Sequence, residues 1–183
     1  MITVKHISKS FADVQILKDV SFVFETGKTN LIIGKSGSGK SVLTKCIVGL
    51  FEPDEGEIFY DERKLSDLKP KARKEIRKEI GMLFQASALF DSLTVEENVA
   101  FPLNMFTKMT KEEISDRVNF CLNRVNIINK NQLFPSELSG GMQKRVAIAR
   151  AIAMQPKYLF CDEPNSGLDP VTAIVIDLSL IHI

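Results

Sequence analysis

Apolar residues form short alternating or continuous runs over the first third of the chain, a pattern that is typical of strands. Residues 2–7 and 20–24 predict strands, and the compact apolar run 29–33 predicts a buried strand. A glycine-rich segment follows the third run directly. Beyond it, apolar residues recur at helical spacing over residues 41–49, and Gly49 marks a plausible helix end.

The middle of the chain changes from strand to helix. Residues 66–79 carry charges of both signs at helical spacing, which favours a solvated helix face over a site for a polyanion. Residues 80–84 predict another buried strand. Thr94 and Thr110 are each followed three residues later by a glutamate, as in the capping box that begins many helices. We therefore expect residues 91–141 to form an inserted helical subdomain.

The last part of the chain returns to mixed helices and strands. The pattern predicts a helix over residues 146–154, a strand over 158–161 and a final helix capped by Asp169. Residues 1–90 and 142–183 would then form the core of one α/β domain. We expect a parallel or mixed core sheet flanked by helices, with an antiparallel β subdomain at the amino terminus.

Composition excludes several classes of protein. The chain has 24 Lys plus Arg against 23 Asp plus Glu, so no net field attracts nucleic acid. No window approaches the roughly 18 apolar residues that span a bilayer, so we expect a cytoplasmic protein or one held at a membrane by partners. Cys46, Cys121 and Cys161 lie far apart among apolar neighbours, which predicts buried reduced thiols.

Residues 34–41 match the loop that wraps nucleotide phosphates. The segment consists of Gly34, Lys35, Ser36, Gly37, Ser38, Gly39, Lys40 and Ser41. Glycines allow the backbone to point successive amides at phosphates beside a helix amino terminus. Lys40 supplies a catalytic cation for the β- and γ-phosphates, and Ser41 supplies a hydroxyl ligand for Mg²⁺. ATP and Mg²⁺ are the expected ligands, and an incidental glycine turn is disfavoured.

Two adjacent carboxylates end the predicted strand 158–161. A carboxylate there is costly unless a cation or hydrogen bonds meet it, which favours Asp162 as a ligand of Mg²⁺. Glu163 is the candidate catalytic residue that orients or deprotonates the attacking water. Taken alone this pattern fits a solvated turn equally well, but together with the phosphate loop it favours a hydrolytic site.

Ser139, Gly140 and Gly141 begin the helix that continues through residues 146–154. Ser139 is a good cap, and the glycines leave the helix amides open to a second anion. The same residues fit a tight helix entry without a ligand. From the residues alone, both interpretations stay open.

The order of these motifs resembles that of ABC ATPases over nearly the whole chain. The sequence has the phosphate loop, Gln85 after a strand, Leu138-Ser-Gly-Gly, Asp162-Glu163 and then Asp169. The resemblance implies the RecA-like P-loop NTPase fold and a head-to-tail dimer that sandwiches two ATP molecules.

The resemblance also implies roles for individual residues. Ser139 and Gly141, with Gly140 between them, would contact the γ-phosphate held by the other subunit. Gln85 would sense Mg²⁺ and the γ-phosphate beside the membrane permease. Phe11 would stack on adenine, although an aromatic residue at a strand edge is more often simply packing.

Two details resemble the ATPases of Mla-type, mammalian-cell-entry (MCE) systems, which move phospholipids. After Leu138-Ser-Gly-Gly, the family's signature, this chain has Met142 where most ABC ATPases have glutamine, and Gln143 is displaced by one place. Residues 85–95, which follow the predicted strand 80–84, are also similar to those of the Mla-type ATPases. Partners would be a permease and an MCE-type lipid-binding protein. The alternatives are the ATPase of an amino-acid importer or a lipoprotein exporter, a soluble non-transport ABC ATPase, and a non-hydrolysing interaction module.

The end of the chain departs from the family pattern. His182 lies too close to Asp169 to be the family's switch histidine, and residues 177–183 look like a translated sequencing adapter. We expect a domain that is incomplete at its carboxyl terminus and lacks one central strand. Such a fragment alone would be poorly soluble and would hydrolyse ATP negligibly.

Overall fold

A computed structural model describes residues 1–181, except for the side chains of residues 172, 178, 179 and 181. The chain divides into two compact units, residues 1–77 and residues 78–183. The fold is α/β, as predicted, with an antiparallel sheet in the first unit and a parallel strand pair in the second. Among the described residues, no helix has both the length and the apolar character needed to cross a membrane.

The first unit is built on an antiparallel sheet. Its strands are β1 (Ile2–Phe11), β2 (Val14–Phe24), β3 (Glu55–Tyr60) and β4 (Arg63–Lys64), in the spatial order β2-β1-β3-β4. Ile2 pairs with Phe24 on one side and with Tyr60 on the other. Ile2 and Val4 are buried while Thr3 and Lys5 are not, as expected for a sheet with one face on the core.

Two helices complete the first unit. Helix α1 (Lys40–Ile47) buries Leu43, Cys46 and Ile47, and the Tyr60 hydroxyl donates to the Ile47 carbonyl at 2.8 Å. Gly49 has a φ of 74° just beyond this helix, which confirms the predicted helix end. Helix α2 (Pro70–Lys78) buries only Ile76, in agreement with the predicted solvated face.

Residues 29–33 correct one prediction. All five residues are described, and they form no strand. Leu31 is 79% exposed and Ile33 is 84% exposed. An apolar run becomes a buried strand only where a neighbouring strand pairs with its backbone groups, and the sequence pattern does not reveal whether that neighbour is present.

The described part of the second unit contains a parallel strand pair and four α-helices. Strands β5 (Ile80–Leu83) and β6 (Tyr158–Cys161) pair from Ile80 with Tyr158 to Leu83 with Cys161. The helices are α3 (Val95–Phe106), α4 (Lys111–Arg124), α5 (Gly140–Ile152) and α6 (Pro170–Ile181), and a short 3₁₀ helix covers Pro135–Glu137. The predicted strands 80–84 and 158–161 are therefore confirmed.

The core of the second unit is centred on α5. Val146, Ala147, Ile148 and Ala149 are each at most 1% exposed, and they belong to one apolar cluster with residues of α3, α4, β5 and α6. Because the helices of residues 91–141 share this core with α5, the predicted limits of the helical subdomain stay a prediction.

The cysteines are free thiols, as predicted. Cys46 and Cys121 are buried, and Cys161 is half-buried at the end of β6. Burial raises the pKa of all three thiols, that of Cys161 to about 11. Thiols in this state are poor nucleophiles at neutral pH, which favours a packing role.

Candidate active site

The loop of residues 34–41 lies in the first unit and leads into α1. The Lys40 ammonium turns back and donates to the carbonyls of Gly34 and Lys35, at 3.0 Å in each case. Gly37 and Gly39 have φ angles of 76° and 93°, which are left-handed conformations open to glycine. Two carbonyls of the loop thus bind the lysine head group, and the loop ends at the amino terminus of a helix, where backbone amides favour an anion.

The strand β2 fixes the position of this loop. A Cβ atom on Gly39 would lie 2.9 Å from Leu17 Cδ2 and 3.0 Å from Ile16 Cγ2, so a larger residue would push the loop off the strand. A Cβ atom on Gly34 would lie 2.5 Å from Ser38 Oγ. Gly39 therefore allows the loop to approach β2 closely, and Gly34 allows close packing within the loop.

Gln85 and Glu163 are in contact in the second unit. The Gln85 side-chain amide Nε2 donates to Glu163 Oε2 at 2.9 Å and to Ser166 Oγ at 3.3 Å. These residues are about 80 positions apart in sequence, and the parallel pairing of β5 with β6 brings them together. Gln85 and Glu163, which were predicted independently as site residues, are thus joined by a hydrogen bond.

Asp162 and Glu163 follow β6 but lie in different environments. Asp162 is 9% exposed, and its amide donates to the Leu83 carbonyl at 3.0 Å, which extends the pairing of β5 with β6. Glu163 is exposed and has a φ of 48°. Glu163 is one of ten non-glycine residues, among those that the structure describes, with this left-handed backbone, so the conformation alone does not mark it as functional.

Ser139 caps α5. Its hydroxyl accepts a hydrogen bond from the Met142 amide at 3.3 Å, as predicted for a cap. A Cβ atom on Gly140 would meet no heavy atom within 4 Å, so this glycine leaves open space at the start of the helix. The Gln143 side chain donates to the Pro135 carbonyl at 2.9 Å and braces the segment before the cap.

Lys144 was not predicted as part of the site. Its side chain is 6% exposed, and its ammonium donates to the carbonyls of Pro164, at 3.0 Å, and Ser166. Burial lowers the pKa of Lys144, and the Glu163 carboxylate opposes that shift. Lys144 is one of three basic residues of α5, so its position on the helix gave no distinct signal, and its partners lie too far along the chain to be read from spacing.

Arg150 and Asn98 were also missed, and they hold the segment that follows Gln85. The Arg150 guanidinium donates to the carbonyls of Ser87 and Ala88, at 2.9 and 2.8 Å. Asn98 is fully buried, accepts from the Phe90 amide at 2.9 Å and donates to its carbonyl at 3.1 Å. Helices α5 and α3 therefore fix this loop from its two ends.

The remaining predicted residues have simple environments. Phe11 is 43% exposed at the end of β1, and its ring makes an edge contact with Phe51 at 5.5 Å between centroids. The Asp169 carboxylate accepts from the Val171 amide at 3.1 Å, as predicted for the start of α6. His182, to which no role was assigned, lies outside the described residues.

A known protein family matches most of this chain. The family model described as ABC transporter matches residues 17–166. The chain belongs to the ABC transporter family. The matched range contains the phosphate loop, Gln85, Ser139 and the Asp162–Glu163 pair, so it covers most of the candidate site.

Individual members of the ABC transporter family give the same result. The methionine import ATP-binding protein MetN of Clostridioides difficile (strain 630) is 45% identical over 182 residues, which are 100% of this chain and 56% of that protein. The probable ribonucleotide transport ATP-binding protein mkl of Mycobacterium leprae (strain TN) is 42% identical, over 93% of this chain and 49% of that protein. The chain thus spans about half the length of these curated relatives.

A solved ABC cassette has the same fold. The dimeric post-hydrolysis structure of the ATP-binding cassette MJ0796, bound to ADP and Pi, matches with a TM-score of 0.90 and 36% identity. The match covers 98% of this chain and 81% of that one. The predicted family and fold are therefore confirmed. The names of the two relatives refer to methionine and ribonucleotide transport, not to lipids.

Proposed function

We propose that this chain is the ATP-binding and ATP-hydrolysing part of an ABC transporter. The observation that carries the proposal is the contact between Gln85 Nε2 and Glu163 Oε2 at 2.9 Å. It gives the exposed carboxylate a neutral partner that leaves it able to accept a proton from water. Glu163 acts as the catalytic base and Gln85 fixes its orientation, while Lys40 stabilises the charge on the phosphates.

Residues 34–41 bind the ATP phosphates in this proposal. This assignment is supported by the helix amino terminus, the left-handed Gly37 and Gly39, and the lysine whose ammonium binds two carbonyls of the loop. Phe11, which is 43% exposed, contacts the adenine. The donors assigned to Mg²⁺, from Ser41, Gln85 and Asp162, are a hydroxyl, an amide and a carboxylate, which are oxygen ligands that Mg²⁺ accepts. When bound, Mg²⁺ neutralises charge that develops on the phosphates.

The proposed assembly is a head-to-tail dimer attached to membrane permease subunits on the cytoplasmic face. Ser139, Gly140 and Gly141 contact the γ-phosphate bound to the other subunit. The open space at Gly140 supports this assignment, since it leaves the amino terminus of α5 accessible to an anion. No nucleic-acid partner is proposed.

For the cargo we propose phospholipid, moved by a permease with an MCE-type lipid-binding protein. The support is the resemblance in residues 85–95 and at Met142 alone. Import of an amino acid is the second candidate, and it is favoured by the 45% identity to a methionine import protein.

Nucleotide binding and turnover test the proposed activity in the assembled transporter. Lys40→Ala is expected to abolish ATP binding, because it removes the cation from the phosphate loop. Glu163→Gln keeps the shape of the side chain and should bind ATP normally, with turnover reduced about 10²- to 10⁴-fold. Exposed Glu62 provides the control, and Glu62→Gln should leave both properties unchanged. Normal turnover by Glu163→Gln would overturn the assignment.

Transport assays with the assembled protein separate the two cargoes. If lipid is the cargo, transfer of a labelled phospholipid between vesicles requires ATP and is lost in Lys40→Ala. If the assembly instead takes up labelled methionine and leaves phospholipid in place, the lipid proposal is wrong and import of an amino acid replaces it.

A further inference from the structure

Lys144 is a buried cation whose hydrogen bonds are directed at a single turn. Its side chain is 6% exposed, and it donates to the carbonyls of Pro164 and Ser166, which follow Glu163. A buried ammonium is costly unless hydrogen bonds replace its water, so this arrangement is retained only if the turn keeps its shape. The cation and the turn therefore fix one another.

The same turn sets the position of Glu163. The Ser166 amide donates to the Glu163 carbonyl at 3.1 Å, which closes the turn. The Ser166 hydroxyl accepts from Gln85 Nε2 at 3.3 Å, and the same nitrogen donates to Glu163 Oε2 at 2.9 Å. A residue that holds Ser166 thus acts on both members of the Gln85–Glu163 contact.

We propose that Lys144 is a positioning residue, which holds the turn of residues 163–166 and thereby keeps Glu163 and Gln85 in register. The inference rests on the function proposed above for Glu163. Lys144 lies on α5, five residues after Ser139, so a shift of α5 moves the turn that carries the catalytic carboxylate. Lys144 thus links the start of α5, at residues 139–141, to the turn of residues 163–166 within one chain.

A neighbouring residue offers a matched control. Arg145 lies on the same helix, and its Nη1 atom donates to the carbonyls of Val125 and Asn126, at 3.3 and 3.0 Å. It too is a cation on α5 that binds two backbone carbonyls, but its partners are outside the turn. If Lys144 only stabilises the fold, replacing Lys144 and replacing Arg145 should have the same effect on the turn of residues 163–166.

The first experiment uses hydrogen exchange on the assembled transporter without nucleotide. Lys144→Met removes the ammonium and keeps an unbranched side chain that is one heavy atom shorter. Exchange over residues 163–168, where the Ser166 and Leu168 amides are hydrogen-bonded within the turn, should become about tenfold faster. Arg145→Met should leave this segment unchanged and affect residues 122–127. Lys144→Arg retains a donor and should restore part of the protection.

The second experiment measures ATP turnover by the assembled transporter. Lys144→Met should lower kcat about tenfold to a hundredfold, which is the effect expected from a small displacement of a catalytic group. The KM for ATP should change little, because Lys144 is not among the residues that bind phosphate. Lys144→Gln keeps a donor amide and serves as the milder variant if Lys144→Met fails to fold. It should change kcat in the same direction.

The outcomes distinguish this inference from the proposed function. If Lys144 and Arg145 variants loosen residues 163–168 equally, or if the Lys144 variants change KM and leave kcat intact, the positioning role is wrong. If the wild-type protein binds no ATP while Lys144→Met still loosens the turn selectively, the proposed function fails and the link between α5 and the turn stands.

Discussion

At the scale of single residues, the glycines show how little space separates some backbone segments. Gly56 in β3 has a φ of 93°, and a Cβ atom there would lie 2.3 Å from the His6 carbonyl oxygen and 2.4 Å from that of Lys5. Both obstacles are backbone atoms of the neighbouring strand and cannot rotate away. Gly56→Ala should therefore lower the free energy of unfolding by about 3 kcal/mol or more, measured by urea denaturation.

Gly27 separates the two causes of this loss. It has a similar φ of 73°, but nothing lies within 4 Å of the Cβ position. Gly27→Ala should cost only the left-handed conformation, about 1 kcal/mol. Equal losses in the two variants would show that the close approach of β1 to β3 is not what requires glycine at position 56.

The sequence predicts candidate site residues most readily where the motif is local. The phosphate loop could be predicted because glycine spacing, lysine and the following helix are consecutive in the chain. Lys144 could not be predicted as a site residue, because its carbonyl partners lie 20 and 22 positions away and any backbone carbonyl can accept. A contact to a backbone carbonyl does not depend on the residue type of the partner, so the sequence gives no sign of it.

At the scale of elements, the helix beginnings carry their own signals. The Thr94 hydroxyl accepts from the Glu97 amide at 3.3 Å, and the Glu97 carboxylate accepts from the Thr94 amide at 2.8 Å, which is the predicted capping box of α3. Thr94→Ala should destabilise the protein by about 1 kcal/mol in thermal or urea unfolding, since it leaves a helix amide without a partner. Thr94→Ser keeps the hydroxyl and should be nearly neutral.

A loss of stability in Thr94→Ser that matched Thr94→Ala would point to the threonine methyl group as the cause, and would contradict the cap. The same reciprocal pair joins Thr110 and Glu113 at the start of α4. Both boxes were predictable because they involve residues only three positions apart. A strand has no comparable local signal, since its stability comes from a neighbour that can lie anywhere in the chain.

At the scale of the whole molecule, this difference explains why 80–84 and 158–161 were predicted correctly and 29–33 was not. The first two runs pair with one another as β5 and β6. Residues 29–33 are similarly apolar but form no strand, so composition alone could not distinguish them from the two runs that do. The order of motifs predicted the family, whereas the limits of the helical subdomain stay a prediction because α5 shares a core with α3 and α4.

The exposed apolar residues of segment 29–33 should govern how the chain behaves at high concentration. Leu31 and Ile33 are 79% and 84% exposed, so replacing both with glutamine removes apolar surface from water without opening the core. The double variant should stay dispersed at higher concentration than the wild type in light scattering, with an unchanged melting temperature. Buried Val4 is the contrast, because Val4→Gln should instead lower the melting temperature strongly. If the double variant also melts earlier, these two side chains contribute to packing and segment 29–33 is not an exposed surface.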